Sequence, residues 1–82
     1  MSDVRVARKR PASVLVWEWK GQSDEHWPEW LAPAVERHRE QSLLYLKGHS
    51  DRPAQLGDFI INQDGDVYPV GRDAFQRTYE YL

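Results

Sequence analysis

The dipeptide Asp64-Gly65, set between the apolar runs Phe59-Ile60-Ile61 and Val67-Tyr68-Pro69-Val70, constrains this chain more than any other feature. Asp-Gly is favoured in two-residue type I′ turns because both central residues need positive φ, which Gly adopts without steric cost. A hairpin follows, with Gln63 facing Asp66, Asn62 facing Val67, Ile61 facing Tyr68, Ile60 facing Pro69 and Phe59 facing Val70. Strand alternation puts Phe59, Ile61, Tyr68 and Val70 on one face, and Ile60, Asn62, Val67 and Pro69 on the other. Pro69 donates no ladder hydrogen bond, so either its strand is an edge or Pro69 sits where the ladder ends, and the sheet must grow mainly from the Phe59 side.

The remaining apolar runs supply the partners. Ser13 to Lys20 is a β-branched and aromatic strand that stops at Gly21, with Leu15, Trp17 and Trp19 on one face and Val14 and Val16 on the other. A strand apolar on both faces near its start is central, and Glu18 and Lys20 take its far end toward solvent. Met1 to Arg10 holds several charges and few packable side chains, and reads as a loose basic arm. After Gly21-Gln22-Ser23-Asp24, the spacing of Trp27, Trp30 and Leu31 predicts a short helix that ends or kinks at Pro33. Ala34 to Glu40 fits either a charged edge strand or a continued helix; the strand is favoured because the better strand Ser42 to Lys47 can pair back with it across Glu40-Gln41. Gly48 to Ala54 is a polar loop, and as the longest irregular segment it is a candidate functional surface. Asp73 and Gln76 resemble a capping box opening a second short helix, whose stripe of Phe75, Tyr79 and Leu82 can lie on the sheet face of Phe59, Ile61 and Tyr68. The last residues could also straighten into a strand. The fold class expected is α+β: one domain over residues 1–82, a mostly antiparallel sheet of four to five strands, and two short helices.

A domain of this size buries only about 60% of its unfolded surface, so each large aromatic carries weight. Four Trp and four Tyr are more than so small a core needs, which leaves an aromatic patch able to anchor a partner or stack a base. With no Cys, disulfide frameworks and Cys-based metal sites are excluded, and a reducing cytosol fits. No apolar run approaches the roughly 20 residues of a membrane span, and no signal-peptide core opens the chain, so no membrane partner is expected. A net charge of −2 argues against nucleic-acid binding by bulk charge. The charge is nevertheless uneven: Arg5, Arg8, Lys9 and Arg10 cluster at the start, whereas residues 57–82 hold five acids against two Arg.

No residue set spells out a reaction. His26, His38 and His49 form no close ligand pair, so no metal site is expected. Asn62, Asp64 and Asp66 fail the EF-hand pattern, because Val67 falls where Gly is required, and the acids read as turn and cap formers. The serines lack an elbow motif, and there is no Gly-rich phosphate loop. Neither catalytic residues nor a cofactor are assigned.

Two stretches resemble a family of small tailed-phage and prophage proteins without assigned activity. One is Ala7-Arg8-Lys9-Arg10-Pro11 running into Ser13-Val14-Leu15-Val16-Trp17-Glu18-Trp19. The other is Leu56-Gly57-Asp58-Phe59-Ile60-Ile61, then Gly65-Asp66-Val67-Tyr68-Pro69, Asp73-Ala74-Phe75 and Thr78-Tyr79-Glu80. The match spans roughly residues 7–80. This chain has Val70-Gly71-Arg72 where the family often carries a Cys-Lys-Pro type segment, and Leu56 where Pro is usual. The resemblance implies a viral origin and no mechanism. It implies a non-catalytic accessory protein of host-takeover or anti-defence type, working in the host bacterial cytoplasm on a host protein. The binding residues expected are Trp27, Trp30, His49, Arg52, Tyr68 and Arg72. The alternatives are a small-molecule binder, such as a sponge for a nucleotide signal, and a minor virion or assembly component. For the sponge, Arg8, Lys9 or Arg72 would meet phosphate and a homo-oligomer would enclose the ligand.

Overall fold

The computed structural model of the chain describes residues 4–9, 12–39 and 42–81. Its strands are β1 (Arg5–Lys9), β2 (Ala12–Glu18), β3 (Val35–Arg39), β4 (Leu43–Leu46), β5 (Phe59–Gln63), β6 (Asp66–Val70) and β7 (Glu80–Tyr81). One helix, α1 (Arg72–Thr78), and two 3-10 turns, Asp24–His26 and Ala32–Ala34, complete the α+β fold. The main sheet is five-stranded and antiparallel, in the order β6-β5-β2-β1-β7, and β3 and β4 form a separate two-stranded sheet.

The β5–β6 hairpin has the expected register, from Phe59 opposite Val70 to Gln63 opposite Asp66. Both turn residues have positive φ, 52° at Asp64 and 93° at Gly65, and the Gly65 amide donates to Asn62 Oδ1 at 2.9 Å. β6 is an edge strand, as Pro69 allows. Counting from the tight turn, Ile60 and Pro69 form a non-hydrogen-bonded pair, so the missing N–H removes an outward donor rather than a ladder bond and blunts the edge.

β2 is central, and each face of the sheet carries its own core. On one face Val14, Val16, Phe59 and Ile61 pack with Ala7 beneath Phe75 and Tyr79. Phe75 stacks on Phe59 at 4.3 Å and on Tyr79 at 5.0 Å. On the other face Trp17, Trp19, Ile60 and Val67 pack against Leu31, Leu44, Leu46 and Ala54 from the β3–β4 layer and its flanking turns. Trp19 is 1% exposed, with its Nε1 donating to the Ser42 carbonyl at 3.1 Å.

Three local expectations are corrected. The opening segment is not a loose arm over its whole length: β1 pairs along β2, Lys9 opposite Ala12 through Arg5 opposite Val16, and Ala7 is fully buried. The Trp27–Leu31 segment is not an α-helix. Pro28 crowds the residue before it out of the helical region. Trp27 is accordingly extended, with ψ at 147°, which leaves only the short 3-10 turns on either side. The capping box is not formed either: Gly71 is the N-cap, and Asp73 lies inside the first turn. Arg10, Pro11, the Glu40-Gln41 crossing and Leu82 lie outside the described residues, as do the side chains of Arg8 and Lys9.

Candidate functional site

The six residues expected to bind do not form one surface. Trp27 and Trp30 are half-buried against the Trp17–Trp19 core. Trp27 meets His38 edge-on at 5.5 Å, and its Nε1 donates to the Gln22 carbonyl at 3.0 Å. Trp30 shares a hollow of about 290 Å³ with Pro33, Lys47 and the hairpin tip at Gly65-Asp66. His49 and Tyr68 do come together beside the β6 edge, rings 6.0 Å apart, with His49 Nε2 at 3.5 Å from Asp66 Oδ1. Tyr68 is no free hydroxyl: it donates to Gln63 Oε1 and is hydrogen-bonded to the Tyr79 hydroxyl, each at 3.0 Å. Burial, then the Tyr79 hydrogen bond, hold its phenol well above the ordinary range. Exposed Arg52 lies against Gly71, where a Cβ would stand 3.5 Å from its Nη2. Arg72 is committed elsewhere, to Glu18 Oε2 at 2.7 Å and over the Phe59 ring at 5.4 Å.

Two other places set exposed side chains beside the core. The first is a groove of about 500 Å³ on the α1 face, at the Glu18 end of β2, lined by Arg5, Val16, Glu18, Lys20, Phe59 and Tyr81 among others. Strand alternation brings them there: Arg5 shares a face with Ala7, and Val16 and Glu18 share one with Val14. Tyr81 arrives through pairing of β7 with Ala7. The Arg5 guanidinium lies 3.7 Å over the Tyr81 ring. The second place is the opposite face at the other end of the sheet, where Val6 and Leu15 are cross-strand partners and Leu15 also pairs with Asn62. Val6 is 43% exposed.

Neither place is legible as a site in the sequence, because each needs β1. The alternation of Val4 and Val6 with Arg5 and Ala7 is the signal that marks that strand. The three histidines stay apart, and among the described residues no group of His, Asp and Glu could hold a metal ion. No helix among the described residues is long and apolar enough to cross a membrane. The fold and these surfaces define a small three-layer α+β domain with a polar groove on one face of the sheet and a bare apolar end on the other. Comparison with protein-family models, with curated proteins and with solved structures finds no match to the chain.

Proposed function

We propose that this chain is a phage-type accessory protein that acts by non-catalytic binding to a host protein in the host cytoplasm, and that the partner seats on the bare end of the sheet around Val6 and Leu15. The observation that supports this reading is a mismatch of lengths between the layers. β4 has four residues and β2 has seven. At about 3.3 Å per residue such strands reach about 13 Å and about 23 Å. Trp17 and Trp19 pack with Leu44 and Leu46 of the small sheet, whereas Leu15 is not part of that cluster. What is left is a flat apolar pair flanked by Ser13, Asn62 and the Asp64-Gly65 turn, in a hollow of about 230 Å³. An apolar centre with a polar rim is the composition of a protein contact. The Trp27–Trp30 segment is a poorer anchor, because both rings already pack on the core.

Native mass spectrometry of the protein isolated from its host lysate tests the reading. A host protein at fixed stoichiometry is expected, and it should be missing from Val6→Glu isolated in the same way. That substitution places a charge on a half-exposed strand position and costs under about 1 kcal/mol of cross-strand packing, so the domain stays folded. A bare protein, or a partner that Val6→Glu retains, would contradict the proposal.

A further inference from the structure

The groove on the α1 face has a charge pattern that the fold does not use. We infer that it is a binding site for a nucleoside monophosphate. Three features of the groove, each independent of the protein-binding end of the sheet, converge on that ligand class.

First, the groove is cationic in a chain whose net charge is −2, so bulk composition does not account for it. Arg5 and Lys20 line it, and neither has an acidic partner among the described residues. The one carboxylate in the lining, Glu18, is already paired with Arg72. Two cations without an acidic partner among the described residues suit a dianionic head such as a phosphate monoester. The Arg5 guanidinium lies 3.7 Å over the Tyr81 ring, and a guanidinium carries the planar fork of N–H donors that matches phosphate oxygens.

Second, the groove has an apolar floor. Val16 is 1% exposed and Phe59 6% exposed, and both line it. The Arg5 guanidinium, 3.7 Å over the Tyr81 ring, also lines the groove, and guanidinium planes and aromatic rings are surfaces on which a nucleobase stacks. The groove holds about 500 Å³. That is an ordinary size for a small-molecule site.

Third, the groove can read N–H donors. Glu18 uses Oε2 for Arg72, and its Oε1 has no hydrogen-bond partner among the described residues. Gln22 is spent on the local turn, accepting from the Lys20 amide at 2.7 Å and donating to the Glu18 carbonyl at 3.1 Å, so it fixes both residues in place. A nucleobase carries ring or amino N–H groups that a carboxylate oxygen accepts; a simple aliphatic phosphate has none.

Isothermal titration calorimetry of the full chain with AMP, GMP, CMP and UMP tests the inference, with inorganic phosphate and adenosine as controls. At least one mononucleotide should bind, more tightly than inorganic phosphate and more weakly as salt is raised. Arg5→Gln and Lys20→Gln should each weaken it about tenfold, the loss of one charge-assisted hydrogen bond. Arg5 also holds β7 through Tyr81, so Lys20→Gln, at an exposed turn position, keeps the test clear of a folding effect; thermal melting of both variants checks this. Absence of binding by all four nucleotides, equal affinity for inorganic phosphate, or affinity unchanged in Lys20→Gln would each overturn the assignment. Val6→Glu, on the opposite face, should bind the nucleotide as the wild type does, so failure of either proposal is separable from failure of the other.

Discussion

The hydroxyls of Tyr68 and Tyr79 lie 3.0 Å apart and tie the outer strand of the sheet to the residue that ends α1. Burial and this hydrogen bond, with the charge of Asp66 adding to them, favour the neutral phenol of Tyr68 in the folded chain. The sign follows from proton binding. Below the ordinary phenol pKa of about 10, Tyr68 is neutral both folded and unfolded, and its contribution to stability is fully present. Above that pH the unfolded chain releases the proton first, so stability falls as pH rises. Urea unfolding at about pH 9 and about pH 11 should show the loss, and Tyr68→Phe should reduce it. At neutral pH the same variant should cost about 1 kcal/mol for the hydrogen bonds to Gln63 and Tyr79. An alkaline slope identical in the variant would place the titrating group elsewhere.

Gly65→Ala isolates the turn. A Cβ at Gly65 would meet nothing within 4 Å, so the only cost is its φ of 93°. That penalty is about 1 to 2 kcal/mol and should appear as a lower urea midpoint with an unchanged slope. Asn62→Ala removes the 2.9 Å acceptor of the Gly65 amide. It should cost about 1 kcal/mol.

Trp19 and Trp27 should separate core from rim. Trp19→Ala empties a site that is 1% exposed. It should cost about 3 to 5 kcal/mol, enough to unfold a domain of marginal stability. Trp27→Phe keeps the aromatic packing and removes the 3.0 Å bond to Gln22. Thermal melting should report a loss of about 1 kcal/mol. Partner binding should be unchanged in Trp27→Phe and in Trp30→Phe. A loss of binding in either, with the fold retained, would move the contact to the Trp segment.

Much of the sheet is legible in the sequence because alternation is a strong signal when both faces are buried. The register from Phe59–Val70 to Gln63–Asp66, the central position of β2 and the split of Val14 and Val16 from Trp17 and Trp19 all follow from it. The Trp27–Trp30–Leu31 spacing marks an inward-facing stripe, and Leu31 is fully buried. The same spacing misleads about the helix, because a stronger local fact, that Pro28 disfavours a helical Trp27, decides the backbone. β1 is hidden by its charges: Arg5 and Lys9 outweigh the small Ala7, which is the residue that packs. The groove cannot be read at all. Its residues come from β1, the end of β2, the turn after it, the start of β5 and β7, and the pairing of β1 with β7 brings the two ends of the chain together.

The central claim is that a host protein covers the bare end of the sheet, and hydroxyl-radical footprinting of the complex tests it most directly. Val6 and Leu15 should be oxidised in the free protein and protected when the partner is bound, while Leu56, 57% exposed and away from that end, should label equally in both states. Protection elsewhere with Val6 and Leu15 still oxidised at the free-protein rate would contradict the claim.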